Sequence, residues 1–166
     1  MHFGPGAACW QRIVQLLDEA RESADICLFT IADDRISEGV LEAHRRDVKV
    51  RIITDDAKRF DDGSDISWLS KAEIPVVTDG PLALMHHKFA VIDRRVVLTG
   101  SYNWTRSAAK SNFEDLLIIR DAAVVNAYGQ RFERLWTDLG AAMAAKAKRE
   151  KASAGRTSSD RGTRGA

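Results

Sequence analysis

The sequence predicts an α/β/α sandwich in which a mixed, largely parallel sheet is flanked by helices. Apolar residues recur at helical spacing in "CWQRIVQLLDEA" and "DRISEGVLEAHRR". Short, β-rich apolar runs alternate with them at "DICLFTI" and "VKVRIITD". The connection from the second helix to the next strand is short, and a strand–helix–strand order of this kind implies parallel strands joined by a right-handed crossover.

Residues 8 to 22 read as a surface helix, with Ile13, Leu16, Leu17 and Ala20 on its inner stripe. Residues 25 to 31 read as a buried strand. The second helix carries Ile36, Val40, Leu41 and His44 on one side, and 48 to 55 is the next strand. "RFDDGS" is a loop, "SDISWLSKA" a short helix capped by Ser64, and "IPVVTD" a third strand. Strands are expected at 86 to 92 and 95 to 99, joined tightly at Asp93-Arg94. A short helical piece follows Gly100-Ser101, then a strand at 114 to 120. Residues 122 to 139 form a long helix whose stripe of Val125, Tyr128, Phe132, Leu135, Trp136 and Leu139 reads as core packing. From about Ala152 the composition is too polar to bury a core, so a disordered tail is expected. The chain thus divides into a folded domain over 1 to 140 and a helix extension with a basic tail over 141 to 166. No internal repeat is evident.

A chain of 166 residues is one domain by length, and 45% apolar with 30% charged residues is the balance of a soluble globular protein. The net charge of +1 names no partner. Its distribution is uneven: from Ala141 onward seven basic residues stand against Glu150 and Asp160, leaving 18 basic and 22 acidic residues in the first 140. Cys9 and Cys27 make neither a disulfide framework nor a zinc site and read as buried small hydrophobes. No apolar run approaches the ~18 residues of a membrane span, and no signal-peptide pattern opens the chain. A soluble, intracellular, cytoplasmic protein is the expectation.

The chemistry concentrates in "LMHHKFAVIDRRVVLTGSYNWTRSA", residues 84 to 108. Side chains alternate faces along a strand, so His86, Lys88 and Ala90 share one face while His87, Phe89 and Val91 share the other. His86 and Lys88 form a compact cationic pair suited to phosphate. His87 falls on the core-like side and reads as structural. Asp93 shares that parity at the strand end, which points to turn amides or a nearby base rather than substrate. After the Gly100 turn, Ser101 and Asn103 supply neutral donors for phosphate oxygens, useful where charge develops in the reaction. Glu114 opens another strand, either as an exposed charge or as acceptor for the second ring N–H of His86, raising its nucleophilicity. Trp104 offers a stacking surface or, more simply, a packing residue.

His86-x-Lys88, then Asp93, Gly100-Ser101 and Asn103 resemble the HKD signature of the phospholipase D superfamily. The resemblance covers about residues 3 to 138 and includes "CLFTIADDRI", "VKVRIITDD" and the "NFED" glutamate. Within that superfamily the chain is similar to the small, single-motif members: bacterial endonucleases and the mitochondrial cardiolipin hydrolase (Zucchini-like) type. The resemblance implies the phospholipase D-like fold and a phosphohistidine mechanism. His86 would attack phosphorus, Lys88 and Asn103 with Ser101 would hold the phosphoryl oxygens, Glu114 would orient His86, and Asp93 and Gly100 would support the motif. The scheme calls for no metal and no other cofactor.

One motif supplies one reactive histidine, whereas the reaction needs a nucleophile and a proton donor. The resemblance answers this with a homodimer that shares an active site. Three substrate readings follow. A metal-independent endonuclease on DNA or RNA comes first; the basic tail would add sequence-independent attraction to a polyanion, but it attracts anionic lipid too and does not decide. Hydrolysis of cardiolipin or another phospholipid is the alternative, and a non-catalytic binding module is third.

Overall fold

The computed structural model describes residues 1–80 and 84–159, with side chains described through Lys151. In chain order the elements are β1 (His2–Phe3), α1 (Ala8–Glu19), β2 (Ser23–Leu28), β3 (Ile31–Ala32), α2 (Asp34–Arg45) and β4 (Lys49–Thr54). A 3-10 turn at Lys58–Phe60 precedes α3 (Ile66–Lys71) and β5 (Val76–Thr78). Then come β6 (Lys88–Ile92), β7 (Val96–Gly100), β8 (Trp104–Thr105), α4 (Arg106–Ser111), β9 (Asp115–Ile119) and α5 (Ala122–Ser159).

Seven strands make one sheet in the order β1-β9-β7-β6-β2-β4-β5, and β3 pairs with β8 apart from it. The sheet is mixed, as expected. Parallel pairing is confined to β2–β4–β5, so it is the smaller share rather than the larger. The reason is local: Asp93 and Arg94 have φ of 51° and 53°, the double positive φ of a two-residue hairpin turn. That turn forces β7 to run back along β6, and β9 and β1 extend the antiparallel half.

Alternation along the strands sends side chains into two cores. Ala90, Ile92, Ile26 and Ile52 pack under α1 and α2 with Ile13, Leu17, Ile36 and Val40. Cys27, Ile53, Phe89, Val91 and Val97 face α5, where Phe132 is fully buried with Tyr128 and Trp136 beside it. Complete burial of a side chain of this size contributes roughly 2–3 kcal/mol. Arg51 pins α5 further, bonding Asp25 within the sheet at 2.8 Å and Glu133 on the helix at 2.7 Å. Helices on both faces complete the sandwich.

Three boundaries depart from the sequence reading. The strand expected from residue 86 begins at Lys88, leaving His86 and His87 on its approach. A short N-terminal strand, β1, pairs with β9 and had no periodic signal to betray it. Helix α5 continues past 139 through the expected helix extension and on to Ser159, into the segment expected to be disordered. Alanine, lysine and arginine dominate that stretch and have high helix propensity, which sustains a helix after its apolar stripe has ended. Residues 160–166 of the expected tail lie outside the described residues. Among the described residues, no helix is long and apolar enough to cross a membrane.

Candidate active site

Sheet register decides which loops meet. Leu28 pairs with Lys88, Thr54 with Thr78, and Gly100 with Leu116. Phe29, Asp55, Asp79, His86, Ser101 and Glu114 therefore emerge at one end of the sheet. Asp93 lies at the opposite end of β6.

The approach to β6 is fixed by its backbone. Phe29 N donates to His87 O at 3.1 Å, continuing the β2–β6 pairing one residue beyond the strand. Lys88 Nζ donates back to His86 O at 3.0 Å and lies 5.5 Å over the Phe29 ring. The His86 ring packs against the same phenylalanine, centroids 5.5 Å apart. Burial pulls the Lys88 ammonium below its ordinary value, while nearby Glu114 opposes the shift. A partly desolvated cation next to His86 is a strong partner for a phosphoryl oxygen. Phe29, which had no motif to announce it, organises both groups.

His87 turns the other way. Its ring meets Phe89 edge-on at 5.4 Å. Desolvation lowers its pKa, with Arg131, Lys88 and His86 adding to the effect, so the ring is held neutral. His86 thus meets Phe29 and His87 meets Phe89, while both histidines precede the strand and are exposed.

Glu114 is clamped at both oxygens. Ser101 Oγ donates to Oε2, and Asn112 Nδ2 donates to Oε1 at 3.0 Å. Ser101 Oγ also accepts from Asp115 N at 3.0 Å, so the serine expected to hold phosphate serves first as a brace for the carboxylate. The expected His86–Glu114 hydrogen bond is not formed among the described contacts. Each carboxylate oxygen keeps a second lone pair, which leaves acceptor capacity for it. Asn112 was missed from sequence because its role depends on where Glu114 points.

Gly100 makes this arrangement possible. Its φ is 153°, and a Cβ there would stand 2.2 Å from Asp115 O. Only glycine lets β7 close onto the start of β9 and bring Ser101 to Glu114. Asn103 sits two residues on, its Oδ1 enclosed without a hydrogen-bond partner among the described residues. Trp104 is buried, so it packs rather than stacks.

Asp93 supports the fold at the far end. Its carboxylate accepts from the backbone amides of Arg21 at 3.0 Å, Glu22 at 2.7 Å and Ser23 at 2.9 Å. These tie the β6–β7 turn to the start of β2. No group of three or more His, Cys, Asp or Glu is disposed to hold a metal among the described residues.

His86 on the approach to β6, Lys88 at its start, a clamped glutamate opposite and a glycine-closed turn between them stand together at this end of the sheet. A family profile described as "Cardiolipin synthase, PLD-like domain" matches residues 13–136, a span that includes every residue named at this end. The chain belongs to the phospholipase D superfamily. It is 47% identical over 126 residues to a mitochondrial cardiolipin hydrolase of Xenopus laevis, covering 76% of this chain and 60% of that one. To the protein of the same name in Chlamydomonas reinhardtii it is 44% identical over 125 residues, or 75% and 56% of the two chains. The chain thus spans under two-thirds of these relatives' length. Its fold matches that of Nuc from Salmonella typhimurium, a phospholipase D family member, with a TM-score of 0.75. That likeness is at 22% identity and covers 81% of this chain and 91% of the other.

Proposed function

We propose that the chain hydrolyses a phospholipid of the cardiolipin type through a phosphohistidine intermediate. The observation that carries the lipid reading over the nucleic-acid one is the family match across the whole site, together with relatives named as cardiolipin hydrolases. The basic tail does not decide between the two, since nucleic acid and anionic lipid both attract it.

A neutral His86 nitrogen attacks phosphorus as the bond to the leaving glycerol oxygen breaks. That oxygen takes a proton from the partner subunit's His86, protonated and brought to the site in a homodimer. Water then gives a proton back to that histidine and adds to phosphorus, breaking the P–N bond and releasing phosphatidate. Splitting the displacement in two lets each step proceed over a lower barrier. Lys88 and Asn103 hold the phosphoryl oxygens where negative charge grows, and clamped Glu114 accepts the second ring N–H of His86 as substrate arrives.

The test is one panel in chelator: cardiolipin vesicles, single-stranded DNA and RNA, with wild type and His86→Ala. Phosphatidate release by wild type and its loss in the variant are expected. Cleavage confined to nucleic acid overturns the substrate, and cleavage that survives loss of His86 overturns the mechanism.

A further inference from the structure

A groove of about 580 Å3 opens beside the catalytic end, between the loop after β4, the end of β5 and the basic stretch of α5. Phe60, Met143 and Ala147 give it an apolar surface, and Arg59, Lys146 and Arg149 give it cations. Phe60 is 73% exposed, unusual for a phenylalanine with no partner to cover it. Thr78 N donates to Met143 Sδ at 3.2 Å, which seats α5 on the edge strand and sets the far wall. The Arg59 guanidinium lies 5.2 Å over the Phe60 ring, and its Nε is enclosed without a partner among the described residues. An unmet donor on a charged group is costly, and a seated anion removes that cost.

Two connections join the groove to the reactive residues. Lys58, next to Arg59, holds its ammonium 5.5 Å over the Phe29 ring that also carries Lys88 and meets His86. Asp79 on the groove wall accepts from Met85 N, one residue before His86. Asp56 and Glu150 line the groove as well. Asp56 accepts the Thr78 hydroxyl at 2.9 Å, and Asp79 accepts Asp56 N at 2.9 Å, so both are engaged in bracing the loop. Three carboxylates against three cations leave the groove with no net charge, so it offers a continuous polyanion such as a nucleic-acid strand no net attraction. One discrete phosphate carrying an apolar chain suits the mixture.

We propose that this groove binds the part of a phospholipid substrate beyond the scissile phosphodiester. A second phosphate sits at Arg59 and Lys146, and an acyl chain lies along Phe60, Met143 and Ala147. The inference rests on the phospholipid reading and adds where the rest of the lipid goes.

Ala147→Trp fills the groove from an exposed helix position, where no packing is lost. Lys146→Glu reverses a charge. Both are assayed on cardiolipin and phosphatidylglycerol in mixed micelles, on a single-stranded oligonucleotide, and on bis(p-nitrophenyl) phosphate, which is too small to reach the groove. Each variant should raise KM for cardiolipin about tenfold, a loss of ~1.4 kcal/mol. Hydrolysis of bis(p-nitrophenyl) phosphate should stay within about twofold, since KM effects without kcat loss mark uniform binding. Lys146→Glu should cost less on phosphatidylglycerol, which lacks the second phosphate. Unchanged cardiolipin kinetics in both variants, or a loss confined to the oligonucleotide, overturns the groove assignment. A wild type that cleaves no phospholipid at all overturns the proposed function instead.

Discussion

Replacing Asp93 with alanine separates structure from chemistry within the motif. Three backbone amides, from Arg21, Glu22 and Ser23, lose their acceptor at once. Half-exposed bonds of this kind contribute about 1 kcal/mol each, giving ~3 kcal/mol. Alanine at a φ of 51° adds strain of ~1 kcal/mol. The expected loss is therefore ~4 kcal/mol, a large share of the roughly 5–15 kcal/mol that holds a domain together. With a urea m-value of about 2 kcal/mol/M, the midpoint should fall by about 2 M. Asp93→Asn keeps one acceptor and tolerates the turn, so it should lose about half as much. Acid adds a second readout. Burial raises the Asp93 carboxyl, but the amides of Ser23, Glu22 and Arg21 outweigh it and hold it below the usual carboxylate range. Its stabilisation is complete above the unfolded value of ~3.9 and fades as pH falls through the lower folded value, so wild type and Asp93→Asn should converge in acid. In conditions where Asp93→Ala stays folded, kcat/KM should change less than about threefold, because the residue lies at the far end of β6. An unshifted midpoint with activity down about a hundredfold would refute this reasoning and make Asp93 a catalytic residue.

His86→Ala should lower kcat by about four orders of magnitude or more with the melting curve unchanged, as removal of a nucleophile does. His87→Gln should leave kcat/KM within about fivefold. Its lowered pKa means that the unfolded chain binds the proton better, so wild-type stability declines as pH drops below about 6.5, and the variant should lose that dependence. Gly100→Ala, with Asp115 O in the way of its Cβ, should cost several kcal/mol and appear as insoluble or low-melting protein. Activity per chain should fall on dilution in step with dimer dissociation measured by sedimentation, and full activity from a monomer would refute the shared site.

Much of the fold was legible because its signals are local. Helical spacing announced α1, α2 and the packed part of α5, and apolar runs announced β2 and β4. Strand parity set His87 on the core-like side, since alternation needs only neighbouring residues, but the strand begins at Lys88 and leaves that side chain exposed. The share of parallel pairing was not legible, because it follows from which strand slots beside β2. The reach of α5 beyond about Ala152 was not legible, because the Ser-, Gly- and Thr-rich composition there points away from a helix.

The sequence by itself nominated a candidate set, His86, Lys88, Asn103 and Glu114, because the family signature is carried by near neighbours. Only the tertiary structure decided how that set is held. Asp93 finds its amides some 70 residues away, Ser101 and Asn112 are committed to Glu114, and Phe29 supplies the surface shared by His86 and Lys88. The groove beside them exists only because α5 crosses the edge strand. These are contacts between chain-distant groups, set by sheet order and register, and no local pattern of residues encodes them.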